Sequence, residues 1–422
     1  MSSIKGSFTY NKYLIVSIVY IFFNTILLPH GLLYTMLLSP ILYFYSLKNG
    51  VKNILFYFAL VFFPYLIIHF ILGTNLFYYT RSMMIVFMVY LFAVAAHVFI
   101  KKKDFTIWFP TILKINLIFC CIAIILFFTP YAEFLWTIRN LTTEMRDFPR
   151  LQLLTYEPSY YSLLLAPLAI YYFLKFFLYP TTWVKVISYL LLLILPLTLS
   201  FSLGVIAGLL LTFVLFFVLN AHLLRKKRGT FFTIAFILSL TAITLTLLLI
   251  FYPENPLYAR LVDLMQGKDT SASGRTTNAL FLAFQIAERK SLFFGVGLGQ
   301  IKVVGTEIIR EFYNYTLNDI ASIRIPNAIG ETIAMFGISG LFIRLGLQVY
   351  LYFKVKVYTN YYRIAIFTFV FIYQFTGSFF NNSAEIILWI IAFTPCAKLF
   401  DKKQVLKHRN YAVNNLSITT TS

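Results

Sequence analysis

Nine arginines hold most of the chemistry this chain offers: Arg81, Arg139, Arg146, Arg150, Arg260, Arg275, Arg289, Arg310 and Arg324. All lie between apolar runs, accompanied by Lys268, Lys290 and Lys302. A guanidinium is a planar fork that grips phosphate or carboxylate through two parallel hydrogen bonds, whereas an ammonium is a point charge. One reading is therefore a pocket for an anionic, phosphorylated ligand. The other is ordinary pairing with neighbouring carboxylates such as Glu133, Glu144 and Asp147. The densest stretch is Tyr252–Ala328, which holds Arg260, Asp263, Asp269, Arg275, Glu288, Arg289, Glu307, Arg310, Glu311, Asp319 and Arg324.

Within that stretch, apolar residues Leu280, Phe281, Phe284, Ile286 and Ala287 predict a short amphipathic helix over 276–290, with Ser273 as N-cap. A second helix is expected over 303–315. Between them, Phe294-Gly295-Val296-Gly297-Leu298-Gly299-Gln300 has the look of a nucleotide-binding run, but no strand precedes it. Close backbone approach is the better account. A second segment, Arg150 to Tyr156-Glu157-Pro158-Ser159, leads into an apolar run. Pro158 suits the first helical turn, where its missing donor costs little. Glu157 then sits at a helix N-terminus, favoured by the dipole, or stands at the mouth of an outer cavity as a base or substrate-binding group. Cys120, Cys121 and Cys396 have no metal-ligand spacing, and His69 and His97 read as packing residues.

The elements that position these groups are membrane spans. The chain has 422 residues, 60% hydrophobic and 12% charged, and a mean hydropathy of +0.81. Apolar runs of about 18 residues or more recur without strand-like alternation. The expected fold is all-α and polytopic, with about twelve transmembrane helices. They fall at 13–29, 32–47, 54–72, 83–100, 108–128, 160–179, 184–200, 203–223, 231–251, 329–353, 362–380 and 384–399. Spans one to nine thus occupy 1–251, a large outward (periplasmic) loop with short helices 252–328, the last three spans 329–400, and a tail 401–422. Loops 73–82 and 129–159 also face outward.

The net charge of +20 is a topological signal and points to no nucleic acid. Lys5, Lys12, Lys48, Lys52, Lys101, Lys102, Lys103, Lys175, Lys185, Arg225, Arg228, Lys354, Lys356 and the basic tail all fall on one side. By the positive-inside rule that side is cytoplasmic and holds both termini. Two charges lie within spans: Lys114 can snorkel, whereas Arg344 is deep enough to need a protein partner.

Three patches together resemble the bacterial O-antigen polymerases (Wzy type), within the superfamily that includes the O-antigen ligases. They are Arg150 with Glu157-Pro158-Ser159; Ser273-Gly274-Arg275 with Lys290 and the glycine run; and Asn327 followed by Gly337 and Gly340. Ligases of this superfamily carry a functional His just before that Asn. Here the position is Pro326, and no His occurs between His222 and His408. The resemblance therefore implies a polymerase, with a ligase as the nearest enzyme alternative.

It implies glycosyl transfer at the outer face of the inner membrane, from a polyprenyl-diphosphate-linked glycan to a hydroxyl of another lipid-linked repeat unit. Membrane lipids and a chain-length regulator are the further partners. Fixed arginines would stabilise the diphosphate leaving group, so no metal or other cofactor is implied. Arg150, Arg275 and Arg324 are the expected diphosphate ligands, with Arg81 and Arg260 next. Glu157 is the first choice for general base and Glu331 the second, and Asn327 orients a phosphate or sugar hydroxyl. A flippase or other transporter is the reading from a different class. Against it, no internal repeat is visible and the polar residues gather outside the spans.

Overall fold

A computed structural model describes residues 14–22, 37–139, 148–179, 181–220, 223, 262, 266, 270–313 and 324–408. The span expected at 231–251 and Arg260 lie outside the described residues. Helices dominate: α1 (Ser39–Lys48), α2 (Ile54–Ile71), α3 (Leu76–Lys102), α4 (Phe109–Phe127), α5 (Pro158–Leu178), α6 (Trp183–Ser200), α7 (Leu203–Leu219), α8 (Thr277–Glu288), α9 (Thr306–Tyr313), α10 (Ala328–Lys354), α11 (Tyr361–Tyr373) and α12 (Ser383–Phe393). Among the described residues six are long and apolar enough to cross a membrane: α2, α3, α4 with its leading 3-10 turn, α5, α6 and α10. The chain is a membrane-embedded, mostly helical protein.

Burial separates lipid-facing helices from the centre. α5 is the pillar, with Tyr161, Leu163, Ala166, Leu168, Ile170 and Leu174 all buried against α4, α7, α11 and α12. A second apolar core joins α2 and α3 to α8 and α10 through Tyr79, Leu282, Ile286, Leu298, Ile329 and Phe336.

Three differences from the sequence expectation matter for the site. Helix α3 starts at Leu76, capped by Asn75 Oδ1, which accepts from Phe77 N and Tyr78 N. The loop expected at 73–82 is therefore mostly helix, and Arg81 stands on it. The segment 129–159 contains a hairpin that no alternation announces: β1 (Trp136–Arg139) pairs antiparallel with β2 (Phe148–Leu151), Thr137 opposite Arg150. The last two spans are shorter than expected. Helices of 13 and 11 residues rise only about 20 and 17 Å, against a hydrocarbon thickness of about 30 Å.

The residues joining those two helices, 374–382, are not a helix, and protein groups answer their backbone. Ala328 N donates to Gly377 O (3.2 Å) and Ile329 N to Gln374 O (3.3 Å). These carbonyls satisfy the first donors of α10, which a helix start leaves open.

Helix α10 is itself broken. Gly337 has φ 66° and ψ −164°, a conformation open essentially to glycine alone. The glycine run docks into the break: Val296 N and Gly297 N donate to Ala334 O and Met335 O, both at 2.9 Å. In return Ile338 N and Ser339 N donate to Leu292 O and Phe293 O, both at 3.1 Å. Four backbone groups freed by the break meet four from the loop. A Cβ on Gly295 would lie 2.5 Å from the Met335 carbonyl carbon, and one on Gly337 2.4 Å from that of Phe293. The run is thus a close backbone approach, with Gly295, Gly297 and Gly299 all at positive φ. It is further fastened to the α2–α3 corner. His69 Nε2 lies 2.8 Å from Phe294 O, and the Gln300 amide exchanges two 2.9 Å bonds with the backbone of Asn75.

Candidate functional site

The site forms where the first turns of α5 and α10 meet the segment 374–382. Pro158 stands in the first turn of α5, as its chemistry predicts, and Glu157 is the N-cap. The Glu157 side chain makes no capping bond to the helix; it accepts from the Ser159 hydroxyl instead. Glu157, Arg324, Tyr373 and Glu331 all lie within electrostatic reach of the Tyr160 hydroxyl. Arg275, Glu157 and Glu385 lie within reach of that of Tyr373. Four of the expected residues (Glu157, Arg275, Arg324 and Glu331) therefore converge on two tyrosines.

Asn327 places the fifth. It is fully buried and caps α10, its Oδ1 accepting from Gly330 N at 2.9 Å. Its Nδ2 donates to Arg275 O (2.7 Å) and Phe375 O (2.6 Å). Both amide hydrogens are in use, so this side chain positions Arg275 and the 374–382 segment instead of offering donors to a ligand. That differs from the expected role of orienting a substrate oxygen. The Arg275 backbone ends the short helix Thr270–Arg275, so the residue next to it, Thr276, is the N-cap of α8, and Ser273 is not.

Arg324 is exposed, its guanidinium 5.1 Å from the centre of the Phe379 ring, a favourable cation–π placement. The Tyr160 ring meets that of Phe379 edge-on at 6.4 Å. Glu331 Oε2 accepts from Phe380 N at 2.5 Å. Arg81 joins through a residue outside the expected set: the Lys302 ammonium is pushed below the ordinary lysine range, first by partial desolvation and then by Arg324 and Arg81 nearby. Among the described residues no carboxylate forms an ion pair with Arg81, Arg275, Lys302 or Arg324. Of the acids named for such pairing, Glu144 and Asp147 lie outside the described residues.

Arg150 is placed differently. It sits on β2, and its Nε donates to Ser200 O (3.2 Å) at the end of α6. There a cation complements the helix dipole.

A second polar centre lies deeper. Arg344 donates from Nη2 to Glu385 Oε1 (2.8 Å), from Nε to Gln374 Oε1 (3.0 Å) and from Nη1 to Thr332 Oγ1 (3.1 Å). Gln374 and Gln348 exchange amide bonds of 2.9 and 3.0 Å. The mid-span position of Arg344 called for a partner, and Glu385 is that partner. The expectation that polar residues gather outside the spans is corrected by this pair. Tyr160, Tyr373, Lys302 and Glu385 are the site residues the sequence reading missed. A tyrosine just after a Glu-Pro-Ser helix start, for Tyr160, and a lone charge within a span, for Glu385, were the available signals.

The arrangement groups cations that have no carboxylate ion pair among the described residues with two carboxylates and aromatic rings. It can hold an anion and accept a proton from a hydroxyl. Among the described residues no three His, Cys, Asp or Glu side chains are grouped to hold a metal ion. No protein-family model and no curated protein sequence matches the chain.

Proposed function

We propose that this protein is a membrane glycosyltransferase that polymerises a surface polysaccharide from polyprenyl-diphosphate-linked repeat units. The observation that carries the reading is a group of cations, Arg81, Arg275, Lys302 and Arg324, without a carboxylate ion pair among the described residues, linked through Tyr160, Tyr373 and Lys302 to Glu157 and Glu331 in a protein of long apolar helices. A lipid diphosphate has its charge at the membrane surface and its chain in the bilayer, and needs cations at that boundary.

In the reaction a hydroxyl oxygen of one unit attacks the anomeric carbon of another, and the bond to the diphosphate breaks. Arg275 and Arg324 stabilise the charge developing on the departing polyprenyl diphosphate. Glu157, or Glu331 behind it, accepts the hydroxyl proton. The reading includes about twelve spans, cytoplasmic termini, and a site on the outer face of the inner membrane.

Deleting the encoding gene and resolving the surface polysaccharide on a gel tests it. The expected outcome is collapse of a long ladder to a single repeat unit on an intact core. A core with no repeat, alongside lipid-linked polymer accumulating outside, would instead identify a ligase.

One observation favours a transporter as the second reading. The break at Gly337 and the buried Arg344–Glu385 pair belong to the kind of discontinuous helix and intramembrane charge that transporters use. Lipid-linked single units trapped on the inner leaflet of the deletion strain would establish that reading.

A further inference from the structure

We infer that Arg344 and Glu385 are positioning residues for Glu331: they fix the segment whose backbone aims the Glu331 carboxylate at the cation cluster. The inference rests on the reading above for the use made of Glu331, but its geometry stands apart from it.

The orientation of Glu331 depends on Phe380 N, which donates to Oε2 at 2.5 Å. Phe380 belongs to the non-helical segment 374–382, so the carboxylate is only as well placed as that segment. Arg344 holds it at both ends. Its Nε binds Gln374, the residue following α11, and its Nη2 binds Glu385 in the first turn of α12. The third contact, Nη1 to Thr332, grips the neighbour of Glu331 in sequence. One guanidinium thus ties the helix bearing the carboxylate to both flanks of the segment that donates to it.

The break at Gly337 makes this geometry available. Residues 332 and 344 would stand about 18 Å apart along a straight helix, beyond the reach of an arginine and a threonine side chain. Their 3.1 Å contact requires the turn at Gly337. The planar fork is equally required. Three acceptors on three elements cannot be met in fixed geometry by an ammonium on a flexible stem.

Glu385 is 2% exposed; its Oε1 also accepts from Trp389 Nε1 at 3.0 Å, while Oε2 is buried with no partner. A carboxylate pinned through one oxygen serves as an anchor, and an amide of the same shape preserves that oxygen.

The test is carbodiimide modification of Glu331 in the purified full-length protein, read by peptide mass spectrometry with the exposed Glu288 as internal reference. Arg344→Lys and Glu385→Ala are expected to speed modification of Glu331 by roughly three- to tenfold, the equivalent of one ordinary net hydrogen bond lost. Glu385→Gln is expected to leave it at the wild-type rate, and being isosteric it also guards against simple misfolding. Unchanged modification in Arg344→Lys, or a Glu385→Gln variant as reactive as Glu385→Ala, would overturn the inference. A wild-type protein that fails to restore a polysaccharide ladder defeats the polymerase reading and leaves this labelling result standing.

Discussion

At the scale of single residues, the claim that forks matter more than charge has a direct consequence. Arg275→Lys should shorten the polymer ladder markedly at normal expression, because a point charge does not replace bidentate contact with a diphosphate; near-normal chain lengths would defeat the clamp. Lys302 gives a prediction with a sign. Its proton affinity is depressed in the folded protein, by desolvation and by Arg324 and Arg81. A lysine shifted this way costs stability in full below its depressed folded-state value, and the cost fades as pH rises from there to the ordinary value of the unfolded chain. Pyrophosphate neutralises the cluster, so it should raise the thermal midpoint at neutral pH. The gain should shrink as pH climbs through the depressed lysine range and in the Lys302→Ala variant; a pH-independent gain would place the anion elsewhere. Composition made the arginines legible because lysine and arginine serve topology equally and only recognition separates them. Lys302 was not legible, since its neighbours Arg81 and Arg324 come from distant parts of the chain. The three backbone contacts of Asn327 could not be read from one letter.

At the scale of elements, the glycine run and the break in α10 are one structure. The run was readable as a close approach because three alternate glycines leave little else to explain. Its partner was not: Gly337 lies in an apolar run that is indistinguishable from a continuous span by hydropathy. A methyl group at Gly337 or Gly295 would meet backbone at 2.4–2.5 Å, which nothing flexible can relieve. Gly337→Ala should therefore cost on the order of 3 kcal/mol, combining an unfavourable backbone conformation with overpacking. Gly346→Ala, on the same helix with nothing within 4 Å, is the control and should be near neutral in thermal unfolding. The shortening of α11 and α12 was missed as well. Residues 374–382 carry Gln374, Thr376, Gly377, Ser378, Asn381 and Asn382 among three phenylalanines, and Glu331, Asn327 and the start of α10 bind their backbone outside any helix.

At the scale of the molecule, one apolar core holds α5, α7, α11 and α12 and the other α3, α8 and α10, while Arg344 on α10 reaches Glu385 on α12. The proposed topology makes a labelling prediction. In intact cells a membrane-impermeant maleimide should modify Lys302→Cys but not Lys102→Cys, in a background with Cys121 replaced; the reverse pattern would invert the protein. The mostly helical membrane fold was legible because spans announce themselves by length and apolarity, and the hairpin was not, because its two strands are short and lack alternation. The break at Gly337 also bears on how the protein is made. Residues 291–297 are synthesised before 328–354 and, in the proposed topology, already wait on the far side of the membrane when α10 arrives. The four peptide groups that the broken helix would otherwise leave bare in lipid can be met at insertion, so order of synthesis supplies the partner before the need. A circular permutant that reverses that order should insert poorly even though every contact of the finished fold is available to it.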